Sequence, residues 1–254
     1  MILAVSDIHL GYSRSNKQEF IKFLDEVVGR MGKSDRLVLL GDIFDFWRRK
    51  NISVVLENED VLQRIEDSSA ELYYIPGNHD LTFAKPDLFG KLPIRIQRNL
   101  TLEDAGRSFN FIQGYQLEVL ANLEPLTVEE YEELCISICQ RTGDFFGDLL
   151  SILWDTFQLS FKRGDRRKDM ISSIGETPES RKDMHMVDRL ARSRASHMFL
   201  GLRKGDTLVF GHTHRPFLDE YVANTGSWVS DSTTQNTYVT IENGEMTLRN
   251  FKSI

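Results

Sequence analysis

The chain has 254 residues, 41% hydrophobic and 27% charged, with a net charge of −7. That length and balance suit a sizeable globular core and exclude a disordered chain. The acidic balance disfavours a general nucleic-acid coat, two cysteines exclude a disulfide framework, and no apolar run reaches the ~20 residues of a spanning helix.

Ile2 to Val5 is wholly apolar and predicts a strand buried on both faces, as in a parallel or mixed α/β sheet. Ser6-Asp7-Ile8-His9 follows at its carboxyl end. The early Asp7 is unlike a secretory leader, and a cytoplasmic protein is expected. Residues 15–31 predict a helix that stops at Gly32. Leu37 to Leu40 predicts a second buried strand, ending in Gly41-Asp42. Residues 53–67 read as one amphipathic helix. A third strand, 71–75, leads through Pro76 into Gly77-Asn78-His79-Asp80. This order describes right-handed βαβ units, whose ligands lie beyond the carboxyl ends of the strands.

Pro93 to Gln113 reads as a meander of short strands. Residues 126–203 read as a helical insertion within a single domain, 1–254. Its expected core is the aromatic stretch Phe145 to Leu159, part of which faces the active-site mouth or a second copy of the chain. The basic run Lys162 to Lys168 reads as a solvated helix end. Sheet texture returns at Thr207 to Phe210, followed by Gly211-His212-Thr213-His214. Three more strands are expected near 217–222, 236–242 and 245–250.

The polar residues at the strand ends carry the chemistry. Asp7, His9, Asp42, Asn78, His212 and His214 offer oxygen and imidazole donors without thiolate. That set suits manganese, iron, zinc or cobalt better than a structural zinc. Asp42 has two oxygens and can bridge two cations. Asp80 is expected to fix the tautomer of His79, so that His79 protonates or stabilises a departing oxygen. A lone aspartate after a strand is usually a turn or cap residue; the repetition of polar clusters at strand ends favours ligands. His185 and His197 read as helix-surface residues, and Cys135 and Cys139 as small buried hydrophobes. Arg48, Arg49 and Lys50 are candidates for an anionic group of a substrate. Phe46 and Trp47 either wall the cleft or pack.

Asp-x-His, Gly-Asp, Gly-Asn-His-Asp and Gly-His-x-His, in this order and each after a strand, resemble the calcineurin-like metallophosphoesterases. The resemblance covers residue 2 to about 230, apart from the insertion. It implies an α/β fold, a four-layer α/β/β/α sandwich of two mixed sheets, with two divalent metal ions between them. Manganese is the expected metal, with iron, zinc or cobalt as alternatives. Asp7, His9, Asp42 and His214 would hold the first ion, and Asp42, Asn78 and His212 the second. His79 would contact the phosphate and assist the leaving group. The implied reaction is hydrolysis of a phosphomonoester, phosphodiester or pyrophosphate bond by a metal-bound hydroxide. Its substrate would be a phosphorylated small molecule, nucleotide or lipid.

One position departs from the family pattern. A further histidine usually completes the second metal site, in a His-Gly context. Here Phe111-Ile112-Gln113-Gly114-Tyr115 sets Gln113 in that place. A glutamine carbonyl is a weaker donor than imidazole, so a weak second site is expected. The layout also resembles the lipid A pathway pyrophosphatases of the superfamily, which carry a helical lid between the same motifs. Those typically have arginine where His79 stands, so the sequence does not assign that activity, and a diesterase or nucleotide hydrolase is equally open. Two other readings compete. A non-catalytic scaffold is favoured by Gln113 and opposed by His79 and Asp80. A nuclease is opposed by the net charge.

Overall fold

The computed structural model describes residues 1–84, 94–122, 127–141, 178–230 and 232–252. The expected stretches Phe145 to Leu159 and Lys162 to Lys168 lie outside them. Among the described residues eleven strands form two sheets. The first runs β11(Glu245–Asn250), β10(Thr237–Glu242), β1(Ile2–Val5), β2(Arg36–Leu39), β3(Glu71–Tyr74), β4(Ile94–Ile96). The second runs β5(Leu100–Asp104), β6(Arg107–Phe111), β7(Thr207–Phe210), β9(Val222–Asn224), β8(Phe217–Leu218). Strands β1 to β4 are parallel, and β10 and β11 are antiparallel additions. The second sheet is also mixed.

The apolar strands are continuous because both faces are covered. Ile2 and Ala4 of β1, Val38 of β2 and Tyr73 of β3 meet Leu102, Phe109, Phe111 and Val209 between the sheets. The alternate residues Leu3, Val5, Leu37 and Leu72 face outward. They pack with Phe20, Phe23 and Leu24 of α1(Lys17–Glu26). Beyond the second sheet, Leu208 and Phe210 pack with Leu117 of α4(Tyr115–Asn122) and Val187 of α6(Pro178–Ala191). Helices, sheet, sheet and helices give the four-layer sandwich.

The predicted helix over 53–67 is two helices, α2(Asn51–Glu57) and α3(Glu59–Glu66). The Asn58 side chain donates to Val54 O at 2.6 Å and competes with the helical ladder at the break. The predicted meander is divided between the sheets. Ile94 and Ile96 of β4 pack on the helix side of the first sheet, whereas Leu100 and Leu102 of β5 pack between the sheets. Short-range alternation does not specify a pairing partner, so the texture could not show this division. The strand expected at 217–222 is two short strands, β8 and β9. The hairpin joining β10 to β11 turns at Asn243-Gly244, both at positive φ, as a two-residue hairpin turn requires.

Between β6 and β7 the described elements are all helices: α4, α5(Val128–Arg141), α6 and α7(Arg194–Phe199). Helix α4 begins before residue 126, where the insertion was expected to open. Helix α5 opens on a capping box. Glu130 N donates to Thr127 Oγ1 at 3.2 Å, and Thr127 N donates to Glu130 Oε2 at 2.8 Å.

Candidate metal centre

The segments after β1, β2, β3, β6 and β7 meet at one edge of the sandwich. Direct hydrogen bonds join them: Asp7 N donates to Gly41 O, Gly211 N to Gln113 O, and Trp228 N to Asp7 O. Asp7, His9, Asp42, His212 and His214 all hold a positive φ, between 52° and 68°. Non-glycine residues seldom adopt that region, and such strain concentrates at functional sites. Here the turns aim five polar side chains at a common space.

Asp7, His9 and His214 form one compact group, with ligand atoms within 4.8 Å of one another. His9 Nε2 and His214 Nε2 face each other at 3.1 Å. His214 Nε2 lies 3.3 Å and His9 Nε2 3.9 Å from Asp7 Oδ1, an oxygen that is buried without a hydrogen bond. Asp7 Oδ2 is held by Ser6 Oγ and by the N–H of His212. Burial works to raise the Asp7 carboxyl, but contact with His214 and His9 holds it below the usual range. A carboxylate oxygen with an open lone pair, between two converging imidazole nitrogens, fits a divalent cation.

Asp42 also approaches the group, with Oδ2 4.0 Å from His9 Nε2. Its Oδ1 accepts from the N–H of His79 at 2.9 Å. Burial, and the negative charges of Asp7 and Asp80, push its carboxyl well up; a cation beside it would reverse that direction. Asn78 Oδ1 is buried without a partner and is a second open acceptor.

Gln113 does not turn its carbonyl to the centre as expected. Its Oε1 accepts from Tyr115 N at 3.1 Å, and its Nε2 lies 3.0 Å from Asp42 Oδ2 and 3.3 Å from His212 Nδ1. His212 Nε2 meets Glu118 Oε2 of α4 at 2.7 Å. Burial alone would lower His212, yet the Glu118 charge and hydrogen bond hold it above the ordinary value. His185 is exposed, and His197 Nε2 faces Ala191 O at 2.9 Å. Neither supplies the missing nitrogen.

The expected pairing of Asp80 with His79 is corrected. Asp80 points away and accepts from Ile43 N, Phe44 N, Gly77 N and Tyr74 Oη, at 2.6–3.2 Å. It ties the loop after β3 to the loop after β2. The partner of His79 is Asp45, with Oδ1 3.2 Å from His79 Nδ1. Asp45 Oδ2 also stands 3.3 Å from His9 Nδ1, and Arg48 pairs with it. Burial would raise the Asp45 carboxyl, but His79, His9 and Arg48 hold it well below the usual range. Burial in turn pushes His79 down to about 4 despite Asp45. The ring is therefore neutral at pH 7, and Asp45 favours the tautomer with hydrogen on Nδ1, leaving Nε2 as acceptor.

Trp47 stacks on the His79 ring, with centroids 4.2 Å apart, and donates Nε1–H to Asn78 O at 2.8 Å. It fixes the loop after β3, whereas Phe46 stacks in the core with Phe44 and Phe83. Arg48 lies over the Tyr12 ring, and Arg49 pairs with Glu57. Cys139 is buried in α5 and its thiol donates to His79 O at 3.4 Å. Burial pushes both cysteine thiols well up, as for inert packing groups. Sequence reasoning missed Asp45 and Glu118. A carboxylate alone in the aromatic run Ile43-Phe44-Asp45-Phe46-Trp47 was the available signal for the first. Glu118 had none, because its only cue is its position opposite His212.

The chain is similar to known proteins. The family model described as calcineurin-like phosphoesterase matches residues 1–216. A UDP-2,3-diacylglucosamine hydrolase of Pseudomonas putida is 32% identical over 230 residues, which is 88% of this chain and 86% of that protein. One of Chromohalobacter salexigens is 24% identical over 222 residues, 86% and 82% of the two chains. A solved dimetal phosphatase from Danio rerio aligns over 98% of this chain and 94% of its own, at 12% identity and a TM-score of 0.48.

Proposed function

Because the chain belongs to the calcineurin-like phosphoesterase family, it is a metal-dependent phosphohydrolase, and we propose that it cleaves a diphosphate bond in a nucleotide-linked substrate. The observation that carries the hydrolytic reading is the open Asp7 Oδ1 between the facing nitrogens of His9 and His214. The substrate class is supported by relatives named UDP-2,3-diacylglucosamine hydrolase, similar along most of both chains. Manganese is the proposed metal, since the oxygen and imidazole donors suit it. Buried unpaired cysteines are consistent with a cytoplasmic setting. Among the described residues no helix is long and apolar enough to cross a membrane.

Asp7, His9 and His214 would hold a divalent cation, which when bound would acidify water near neutral pH and set positive charge against phosphoryl oxygens. The chain's own residues do the rest. His79 presents Nε2 beside the centre, with Nδ1 anchored on Asp45 and the ring stacked on Trp47. There the negative charge of a bound phosphate raises the basicity of the ring, so that Nε2 takes up a proton from solvent; the imidazolium Nε2–H then orients the phosphoryl group and passes that proton to the leaving oxygen. Asp80 works at one remove, holding the His79 loop through its backbone and Tyr74 bonds.

The test is hydrolysis by the manganese-loaded chain of UDP-2,3-diacylglucosamine and of bis-p-nitrophenyl phosphate. Turnover of the former, with a fall of roughly 10²–10⁴-fold in His79→Ala at unchanged metal content, is the expected outcome. Turnover of the diester alone would redirect the assignment to a phosphodiesterase. A metal-loaded chain inactive on a broad phosphoester panel would favour the scaffold reading.

A further inference from the structure

We propose that this chain holds one metal ion, at Asp7, His9 and His214, and that the Gln113 amide fills the second position with a proton donor. The inference rests on reading the cluster as a metal centre, not on the substrate. It departs from the two ions that the family architecture implies.

Gln113 is fully buried and held at three points. Its stem lies against Gly41, where even a Cβ would collide with Gln113 Cγ. Its Oε1 accepts the N–H of Tyr115 at the start of α4. Its NH₂ group points at Asp42 Oδ2 and His212 Nδ1. Reversing the amide would set NH₂ against the Tyr115 N–H and oxygen against the Asp42 carboxylate, losing both bonds. One orientation is therefore fixed by its neighbours.

That orientation engages the atoms a second cation would need. His212 Nδ1 faces the Gln113 amide, and His212 Nε2 faces Glu118 at 2.7 Å. Both ring nitrogens are engaged, so no imidazole lone pair is free. Asp42 uses Oδ1 for the N–H of His79 and Oδ2 for Gln113. Of these atoms only Asn78 Oδ1 has no hydrogen-bond partner; Asp42 keeps lone pairs, but with no free imidazole nitrogen on this side an amide oxygen and a shared carboxylate are a weak set for a second divalent ion. At the Asp7 end the reverse holds, with an orphan carboxylate oxygen and two converging nitrogens. The Gln113 substitution thus replaces an imidazole ligand with a neutral group that hydrogen-bonds the remaining ligands to one another.

The full chain, with Gln113→His and Gln113→Glu variants, is equilibrated with Mn²⁺ and freed of loose metal. Metal per chain is then counted by mass spectrometry, and pairing is read by electron paramagnetic resonance. Wild type should carry about one ion with the spectrum of an isolated Mn²⁺, and the variants about two with an exchange-coupled pair. Gln113→Glu is nearly isosteric and keeps the stem on Gly41; if neither variant folds, the wild-type spectrum alone decides. Two coupled ions in the wild type would overturn the inference while leaving the hydrolase reading intact. One ion in the wild type and in both folded variants would also overturn it, by removing Gln113 as the cause. No bound ion in any of them would sink the metal-centre reading and this inference together.

Discussion

The two ends of the centre are made of similar residues, and they differ in what their polar atoms have left to bind. At the Asp7 end, a buried oxygen lacks a partner and two imidazole nitrogens converge at 3.1 Å. At the His212 end, Gln113 and Glu118 answer both ring nitrogens. A histidine in a ligand motif is thus a ligand only if the protein leaves its lone pair free. The Gly-His-x-His string contributes one residue to each end, and neighbours on α4 and at the end of β6 decide their different fates.

The largest effect that would break this contrast is expected at the open end. His214→Ala should lower kcat/KM by about 10³-fold or more and strip the tight ion, as counted by mass spectrometry. His212→Ala should keep that ion. If both variants lost metal equally, the distinction between the ends would fail.

A second effect sharpens the contrast through protonation. Burial holds His79 at about 4 in the folded chain, against an ordinary ~6.5 in the unfolded one. Between those values the unfolded state binds the extra proton, so metal-free stability falls as pH drops from about 6.5 to 4 and is level above. The full span is worth at most roughly 3 kcal/mol. Urea midpoints of chelated protein at pH 4.5 and 7 should therefore differ less in His79→Asn than in wild type. An unchanged difference would refute the buried neutral ring.

The smallest effect concerns Asp45, which serves two histidines of the open end. Asp45→Asn keeps the shape but removes the charge, and activity should fall about 10–100-fold with the metal affinity of the His9 site. A pH–rate profile separates positioning from mere support: its acid limb should move in Asp45→Asn and stay fixed in Cys139→Ala, which only packs against the same loop.

The parts legible in the sequence were those written in local pattern. Apolar runs ending in Asp7, Asp42 and Asn78 mark parallel strands whose carboxyl ends converge. What depends on distant partners could not be read. Asp80 adjoins His79 in sequence, yet its side chain turns to backbone amides 36 and 37 residues away. Asp45 lies 34 residues from His79 and reaches its ring. The break at Asn58 and the sheet membership of β4 likewise follow from contacts that no periodicity encodes. The role of Gln113 was only half visible. Its weakness as a ligand is a property of the residue, but the direction of its amide is set by Tyr115.

The ring of contacts that aims Asp7 is closed by His212, Thr225 and Trp228, some two hundred residues further along the chain. During synthesis, Asp7, His9 and Asp42 emerge long before their partners exist. A nascent chain that ends before His214 offers scattered donors and no cage. The cage is complete only where the segments after β7 and β9 meet the end of β1. A chain cut before His214 would keep Asp7 and His9 but lack the third donor of the cage.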